Sequence, residues 1–209
     1  MAGARSILGL LALLAWMYCR SLLVFPFKTN FLPGLLLGVL FAMEFWSLFK
    51  SLDYTSVARA SIIFYSMPVW LALLAHFVLP SERLNLSRLI GLILAMIGVF
   101  ITVSSPNTVP AEKYFLGDLL ALFAAFLWAF IALTVRLSRL ANEKAETQLF
   151  FQLAISAPIL LLLACFSPTF TRDPSLAHFF SLAYQGACIA SFAFLTLAFS
   201  VFTCKYYSR

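Results

Sequence analysis

The residue best suited to chemistry in this chain is Glu44, a carboxyl side chain inside the apolar run Phe41-Ala-Met-Glu-Phe-Trp46. Ionisable side chains inside such runs are costly in a bilayer, and they mark ion or substrate sites. Because burial disfavours the charged form of a carboxyl group, Glu44 is a candidate site for a proton or a cationic substrate. The alternative is a structural ion pair, or a carboxyl group that hydrogen-bonds between helices.

Arg59 is the nearest candidate partner for Glu44, because it lies a few residues into the next apolar run. Its long side chain could reach the depth of Glu44 and form an ion pair there. The alternative is that the guanidinium group extends to the membrane interface while the aliphatic stem stays in lipid.

A second group of candidates surrounds Pro68 in the segment Tyr65-Ser-Met-Pro-Val-Trp70. Proline cannot donate a hydrogen bond to the carbonyl four residues earlier, that of Phe64, so it kinks a helix. Interrupted helices near the membrane midplane carry substrate contacts in transporters. Tyr65, Pro68 and Trp70 are therefore candidate binding residues, and the alternative is a packing kink whose aromatic rings face lipid.

Two further polar side chains are candidates for substrate contact. Trp128 lies in the middle of an apolar run, where its indole N–H needs a hydrogen-bond partner. Gln185 lies near the start of the last apolar run and could contact substrate or hydrogen-bond to another helix. Asp118 is expected to cap the start of its helix, because a carboxylate there accepts from free backbone N–H groups.

These residues lie in seven apolar runs, each long enough to cross a bilayer: 6–25, 32–51, 57–79, 87–104, 116–137, 147–166 and 178–203. A hydrocarbon core needs about 20 apolar residues in a helix, and the backbone in lipid must satisfy its own hydrogen bonds. The composition, 63% hydrophobic and 11% charged, agrees. We predict an all-α, multi-pass bundle in the lipid bilayer. A soluble helical domain would carry charged faces, whereas Leu86–Val103 carries only Arg88.

The distribution of charge predicts an orientation. Nine Lys and Arg residues lie in one set of connections and five in the other, and short basic loops stay on the cytoplasmic side. This places the N-terminus outside and the C-terminus inside. The net charge of +6 comes from these connections, so it does not indicate nucleic-acid binding.

The sequence carries no sign of enzymatic or metal chemistry. It contains no HExxH, GxSxG or P-loop motif. Its four cysteines form no CxxC pair. We therefore expect a protein that is not an enzyme and that has no metal or cofactor.

Small residues and an internal similarity suggest how the helices associate. Gly91, Ala95 and Gly98 recur at spacings of four and three, which predicts a face for close helix packing, including contact with a second copy of the chain in a homodimer. Segment 47–56 is similar to segment 200–209. Each segment lies at the end of a predicted helix, and these two helices are expected to run in opposite directions. Inverted repeats of this kind are typical of transporters.

Several motifs together resemble the EamA-type transporters of the drug/metabolite transporter superfamily. They are Leu52-Asp-Tyr-Thr-Ser-Val-Ala-Arg-Ala-Ser61, Tyr65–Trp70, Ser81-Glu-Arg-Leu84, Gly91 to Gly98, and the run from Gly117 to Trp128. The resemblance implies ten helices in two inverted five-helix repeats. Residues 1–104 would be the first repeat lacking its first helix, and 116–209 the second lacking its last two.

The resemblance also implies a function. It predicts a secondary transporter in the plasma (inner) membrane that exports or exchanges small metabolites, such as amino acids or amphiphilic compounds. One alternative is a truncated remnant or membrane scaffold that does not transport. A seven-helix receptor is a further alternative, but its expected outer disulfide does not suit the positions of the cysteines.

Overall fold

The computed structural model describes residues 2–19, 27–79, 84–104 and 111–165, and it is helical through nearly all of them. The helices are α1 (Ala2–Cys19), α2 (Phe27–Ser51), α3 (Val57–Phe64), α4 (Met67–Val78), α5 (Leu86–Ser104), α6 (Ala111–Leu137) and α7 (Ala145–Cys165), with a 3-10 turn at Arg139–Asn142 between α6 and α7. These ranges contain no strand. The predicted all-α class is confirmed.

Four helical segments in the described ranges are long and apolar enough to cross a membrane: Asn30–Ser51, Val57–Val78, Tyr114–Leu137 and Glu146–Leu163. Two shorter apolar helices, Ser6–Ala15 and Leu86–Ile101, accompany them. The first six predicted runs therefore all form helices, which agrees with a multi-pass membrane bundle. The seventh run, 178–203, lies outside the described residues.

The described residues divide between two compact units, and the first comprises Met1–Ala42 together with the chain from Arg139 onwards. In this unit α1 packs along α7, with Leu13, Met17 and Leu153 almost fully buried between them. The start of α2 is tied to the turn before α7, because the Asn30 amide Nδ2 donates to Glu143 Oε1 at 2.9 Å.

Two glycines allow α2 to approach α7 closely. A Cβ atom built on Gly34 would collide with the ring of Phe151, and one built on Gly38 would collide with the side chain of Ile155 and the carbonyl oxygen of Phe151. Gly34 and Gly38 are four residues apart, the spacing that lets membrane helices bring their backbones together. This contact uses a small-residue pair that our sequence analysis did not single out.

The second unit comprises Met43–Ser138. Here α3 and α4 pack on α6, and α5 packs on α3. Ala60, Ile63 and Ala121 are buried where α3 meets α6. On the predicted small-residue face of α5, a Cβ atom built on Gly91 or Gly98 meets nothing within 4 Å among the residues that the structure describes. The proposed contact with a second copy of the chain stays a prediction.

The third predicted run is broken at Tyr65–Ser66, between α3 and α4. Ser66 is the N-cap of α4, and Pro68 follows as the second residue of that helix. Proline is tolerated in the first turn because the N–H that it lacks would have no partner there. The expected interruption is therefore present, two to three residues before the proline.

The glycine contact predicts an asymmetric effect of adding a methyl group. Gly38→Ala should lower the free energy of unfolding by about 1–3 kcal/mol, because the new Cβ forces α2 away from α7. Gly91→Ala is the matched control, and it should leave stability unchanged or slightly raised, since alanine favours helix. Thermal unfolding of both variants in detergent checks this. Equal melting temperatures for the two variants would contradict the packing described.

Candidate functional site

The buried polar side chains of the second unit begin on α2. Glu44 is 2% exposed, and Ser47 and Ser51 are both fully buried. These positions are three and four residues apart, so they lie on one face of the helix. The exposed positions on the same stretch are Met43, Trp46 and Phe49, whose apolar side chains suit contact with lipid. Glu44 thus lies on the protein-facing side of α2.

The two serines on this face differ in their hydrogen bonding. Ser51 Oγ donates to the carbonyl oxygen of Leu48 at 2.7 Å, within its own helix. Ser47 Oγ is buried and has no hydrogen-bond partner among the residues that the structure describes. A buried hydroxyl group without a partner is costly, so the environment of Ser47 calls for an explanation beyond packing.

Arg59 and Asp118 form a buried ion pair in this unit. The guanidinium Nη2 lies 2.6 Å from Asp118 Oδ2, and Nε donates to both carboxylate oxygens, at 2.9 and 3.0 Å. Nη2 also donates to the carbonyl oxygen of Val103, at 2.7 Å, in the last turn of α5. Arg59 lies at the start of α3, and its guanidinium group bonds to α6 and to the end of α5. It therefore joins these three helices.

Local sequence positions each partner of the ion pair. Ser56 caps α3 by accepting from the backbone N–H of Arg59, which places Arg59 in the first turn of the helix. Gly117 precedes Asp118, and a Cβ atom on it would come within 3.0 Å of Thr55. The lack of a side chain at Gly117 therefore lets α6 approach the turn between α2 and α3.

Two more side chains complete the surroundings of the ion pair. The hydroxyl of Thr55 donates to Asp118 Oδ1 at 3.4 Å. The guanidinium carbon of Arg59 lies 5.5 Å from the centre of the Tyr114 ring, within the range of a cation–π interaction. The ion pair is thus enclosed by the α2–α3 turn, the end of α5 and the first turns of α6.

The expectation that Asp118 caps its helix is wrong. The helix begins at Ala111 rather than near residue 116, so the backbone N–H groups around Asp118 already have helical partners. Its carboxylate is instead directed at Arg59. The predicted ion pair between Arg59 and Glu44 stays a prediction, since the contacts described for Arg59 lead to Asp118 and Val103.

The other predicted residues gather around the break between α3 and α4. Trp70 is half-buried, and its indole Nε1 donates to Ser66 Oγ at 3.1 Å, which in turn donates to the carbonyl of Ile63. The Trp70 ring packs edge-on against Phe126 of α6, 5.8 Å between centroids. Tyr65 is 68% exposed, and Pro68 is also on the exposed side.

Two predicted candidates remain, Trp128 and Gln185. Trp128 is half-buried on α6. Gln185 lies outside the described residues. The structure thus places Trp70 beside the break and Glu44 on a buried polar face. It adds Ser47 and Asp118 to the predicted Arg59 as polar groups of the same unit.

Comparison with known proteins identifies the family of this arrangement of helices. The model of the EamA-like transporter family matches residues 1–104. Residues 1–104, just under half of the chain, thus match the EamA-like transporter family. The predicted resemblance is confirmed to this extent, and the family is one of membrane transporters rather than enzymes.

A crystal structure of another protein resembles this EamA-like chain in fold. It has a TM-score of 0.63 and 24% sequence identity over 88% of this chain. The match spans 62% of the length of that other protein. At this identity the similarity supports the fold alone. No curated protein sequence gives a significant match.

The ion pair between Arg59 and Asp118 predicts that the stability losses of the two single variants do not add in the double variant. Arg59→Met and Asp118→Leu should each lower the free energy of unfolding by about 3–5 kcal/mol, because each leaves a buried charge without its partner. The double variant should lose clearly less than the sum of the two. Thermal or denaturant unfolding in detergent measures all three.

A second ion pair of the same unit is the control. Lys50 and Asp53 lie 2.9 Å apart with largely solvated side chains, so Lys50→Met should cost only about 0–1 kcal/mol. If the losses for Arg59→Met and Asp118→Leu simply added in the double variant, the two side chains would not be coupled.

Proposed function

We propose that the chain functions in a secondary membrane transporter that exports or exchanges small metabolites, such as amino acids or amphiphilic compounds, across the plasma (inner) membrane. The observation that carries this proposal is the position of Glu44. It is a carboxyl group, 2% exposed, within the candidate membrane span Asn30–Ser51 of a region that matches a transporter family. A buried ionisable group in such a span is costly unless it binds an ion, a substrate or a partner.

The interrupted span supports the same proposal. The break at Tyr65–Ser66 interrupts a segment of membrane-crossing length, Val57–Val78. Interrupted helices near the membrane midplane carry substrate and ion contacts in transporters. Trp70 and Phe126 form an aromatic contact beside the break, which suits an amphiphilic or aromatic part of a substrate. In this proposal Tyr65, Pro68, Trp70, Trp128 and Gln185 belong to the substrate path.

The two-repeat organisation belongs to the proposal as well. Residues 1–104 would belong to one EamA repeat and 116–209 to another of inverted orientation. A site near the midplane is then expected between repeats that share their fold. Energy would come from an ion gradient, since the sequence contains no nucleotide-binding P-loop.

Flux measurements in proteoliposomes test the transport proposal. The chain should mediate uptake or counterflow of at least one member of a panel of amino acids and amphiphilic amines, above the rate of empty liposomes. A membrane scaffold would give no flux with any member of the panel, and that result would contradict the proposal.

The role of Glu44 predicts a change in pH dependence. Wild-type flux should vary with pH over the range in which the Glu44 carboxyl group gains and loses its proton. Glu44→Gln cannot titrate, so its flux should be lost or become independent of pH.

Asp53→Asn is the matched control for this substitution. It also removes one carboxylate, but an exposed one paired with Lys50, and it should preserve the wild-type pH profile. Flux that keeps its full pH dependence in Glu44→Gln would assign Glu44 a structural role.

A further inference from the structure

We propose that Ser47 is a substrate-contact residue that, together with Glu44, binds the N–H groups of a primary ammonium ion. This inference rests on the proposed function, since it specifies the substrate class of the site around Glu44. It assigns to Ser47 a specificity role, the ability to distinguish amines that carry N–H groups from quaternary ammonium compounds.

The hydroxyl group of Ser47 is available to a ligand. It is fully buried, and among the described residues no group lies within hydrogen-bond distance of Oγ in a suitable geometry. Serine hydroxyls in helices ordinarily bond to a carbonyl three or four residues earlier, as Ser51 does with Leu48. Ser47 has not taken that local bond, so its hydroxyl can accept from or donate to a ligand.

Ser47 lies close to Glu44 on the same helix face. The two residues are three apart on α2, a spacing that brings Cβ atoms within about 5–6 Å on one helix face. An ammonium nitrogen between them can donate one N–H to the carboxylate and another to Ser47 Oγ. Both side chains lie on the buried side of the helix, where a charge-assisted hydrogen bond is stronger than in water.

Glu44 and Ser47 together favour a cation that carries N–H groups. A carboxylate in a membrane span is stabilised by a cation that binds it, and a neighbouring hydroxyl acceptor favours a cation that has N–H groups. A quaternary ammonium ion would satisfy the carboxylate but leave Ser47 Oγ buried and unbonded. Sites that hydrogen-bond a substrate reject analogues that lack the bonding group for this reason.

Equilibrium binding to the chain in lipid nanodiscs tests the inference with two probes, phenethylamine and its N,N,N-trimethyl analogue. The two share the aromatic part and the charge and differ in N–H groups. Binding that survives in Glu44→Gln is subtracted as partition into lipid. In Ser47→Ala, affinity for phenethylamine should fall about fivefold, the equivalent of one hydrogen bond, while affinity for the trimethyl analogue stays as in wild type.

Ser51→Ala is the matched control. It removes an equally buried serine hydroxyl from the same face of α2, but one that is already bonded within its helix. It should change the affinity ratio of the two probes by less than twofold. A ratio that is the same in wild type and Ser47→Ala, or that changes equally in both serine variants, would overturn the assignment.

Melting temperatures give a readout that needs no ligand. Ser47→Ala should melt no lower than wild type, because it removes a buried hydroxyl that makes no bond, whereas Ser51→Ala should melt lower. A loss of stability in Ser47→Ala equal to that in Ser51→Ala would show that Ser47 Oγ is bonded in the folded protein, and would overturn the inference.

The outcomes separate this inference from the transporter proposal. Glu44-dependent binding of phenethylamine without an effect of Ser47→Ala would overturn the inference alone. The expected Ser47 effect in a chain that shows no flux would support the binding site and contradict transport. If neither probe binds in a Glu44-dependent manner, the ammonium site itself is excluded.

Discussion

A guanidinium group at the end of a membrane helix is stable only if its charge and its N–H groups find partners, and in this chain Arg59 finds them on other helices. Its bonds to Asp118 and to the carbonyl of Val103 join the start of α3, the first turns of α6 and the end of α5. Such a pair contributes less to net stability than to choosing one arrangement, because desolvation offsets much of the attraction. We infer that this ion pair selects the register of α3 against α6.

The consequences of this contact extend along the second unit. Thr55 also bonds to Asp118, so the turn that ends α2 is held at the same place. The hydroxyl of Ser51 and the buried carboxyl of Glu44 lie on the preceding turns of that helix. At the C-terminal end of α3, away from the ion pair, the helix stops at Tyr65–Ser66. There the indole of Trp70 donates a hydrogen bond to the hydroxyl of Ser66. Glu44 and Ser47 on α2 and Trp128 on α6 thus lie on helices that are joined through this ion pair.

Much of this arrangement could be predicted from the sequence, because the apolar runs and the proline determine where helices form and break from nearby residues alone. Six of the seven apolar runs correspond to described helices, and Pro68 indicated the break. The partner of Arg59 was missed because Asp118 was assigned to a cap on the assumption that its helix began beside it. A signal was present: the third and fifth apolar runs start on the same side of an alternating bundle, so charges near both starts can meet.

Close packing was harder to assign, because the sequence contains more than one small-residue spacing. Gly34-Leu-Leu-Leu-Gly38 and Gly91–Gly98 both have suitable periodicity. Only the tertiary structure shows that the first contacts α7, whereas a Cβ atom on either glycine of the second meets nothing within 4 Å among the described residues. The hydroxyl of Ser47 is a similar case, since a serine in an apolar helix usually bonds to its own backbone and attracts no notice in a sequence.

The central claim is that α2 turns Glu44 and Ser47 toward protein and its apolar side toward lipid. Spin labels placed singly at positions 43 to 51, in a background without the four native cysteines, measure this directly through their collision rate with molecular oxygen, which is concentrated in the hydrocarbon core. The account predicts high rates at 43, 46 and 49 and low rates at 44, 47 and 51. High rates at 44 and 47, with low rates at 43 and 46, would contradict it.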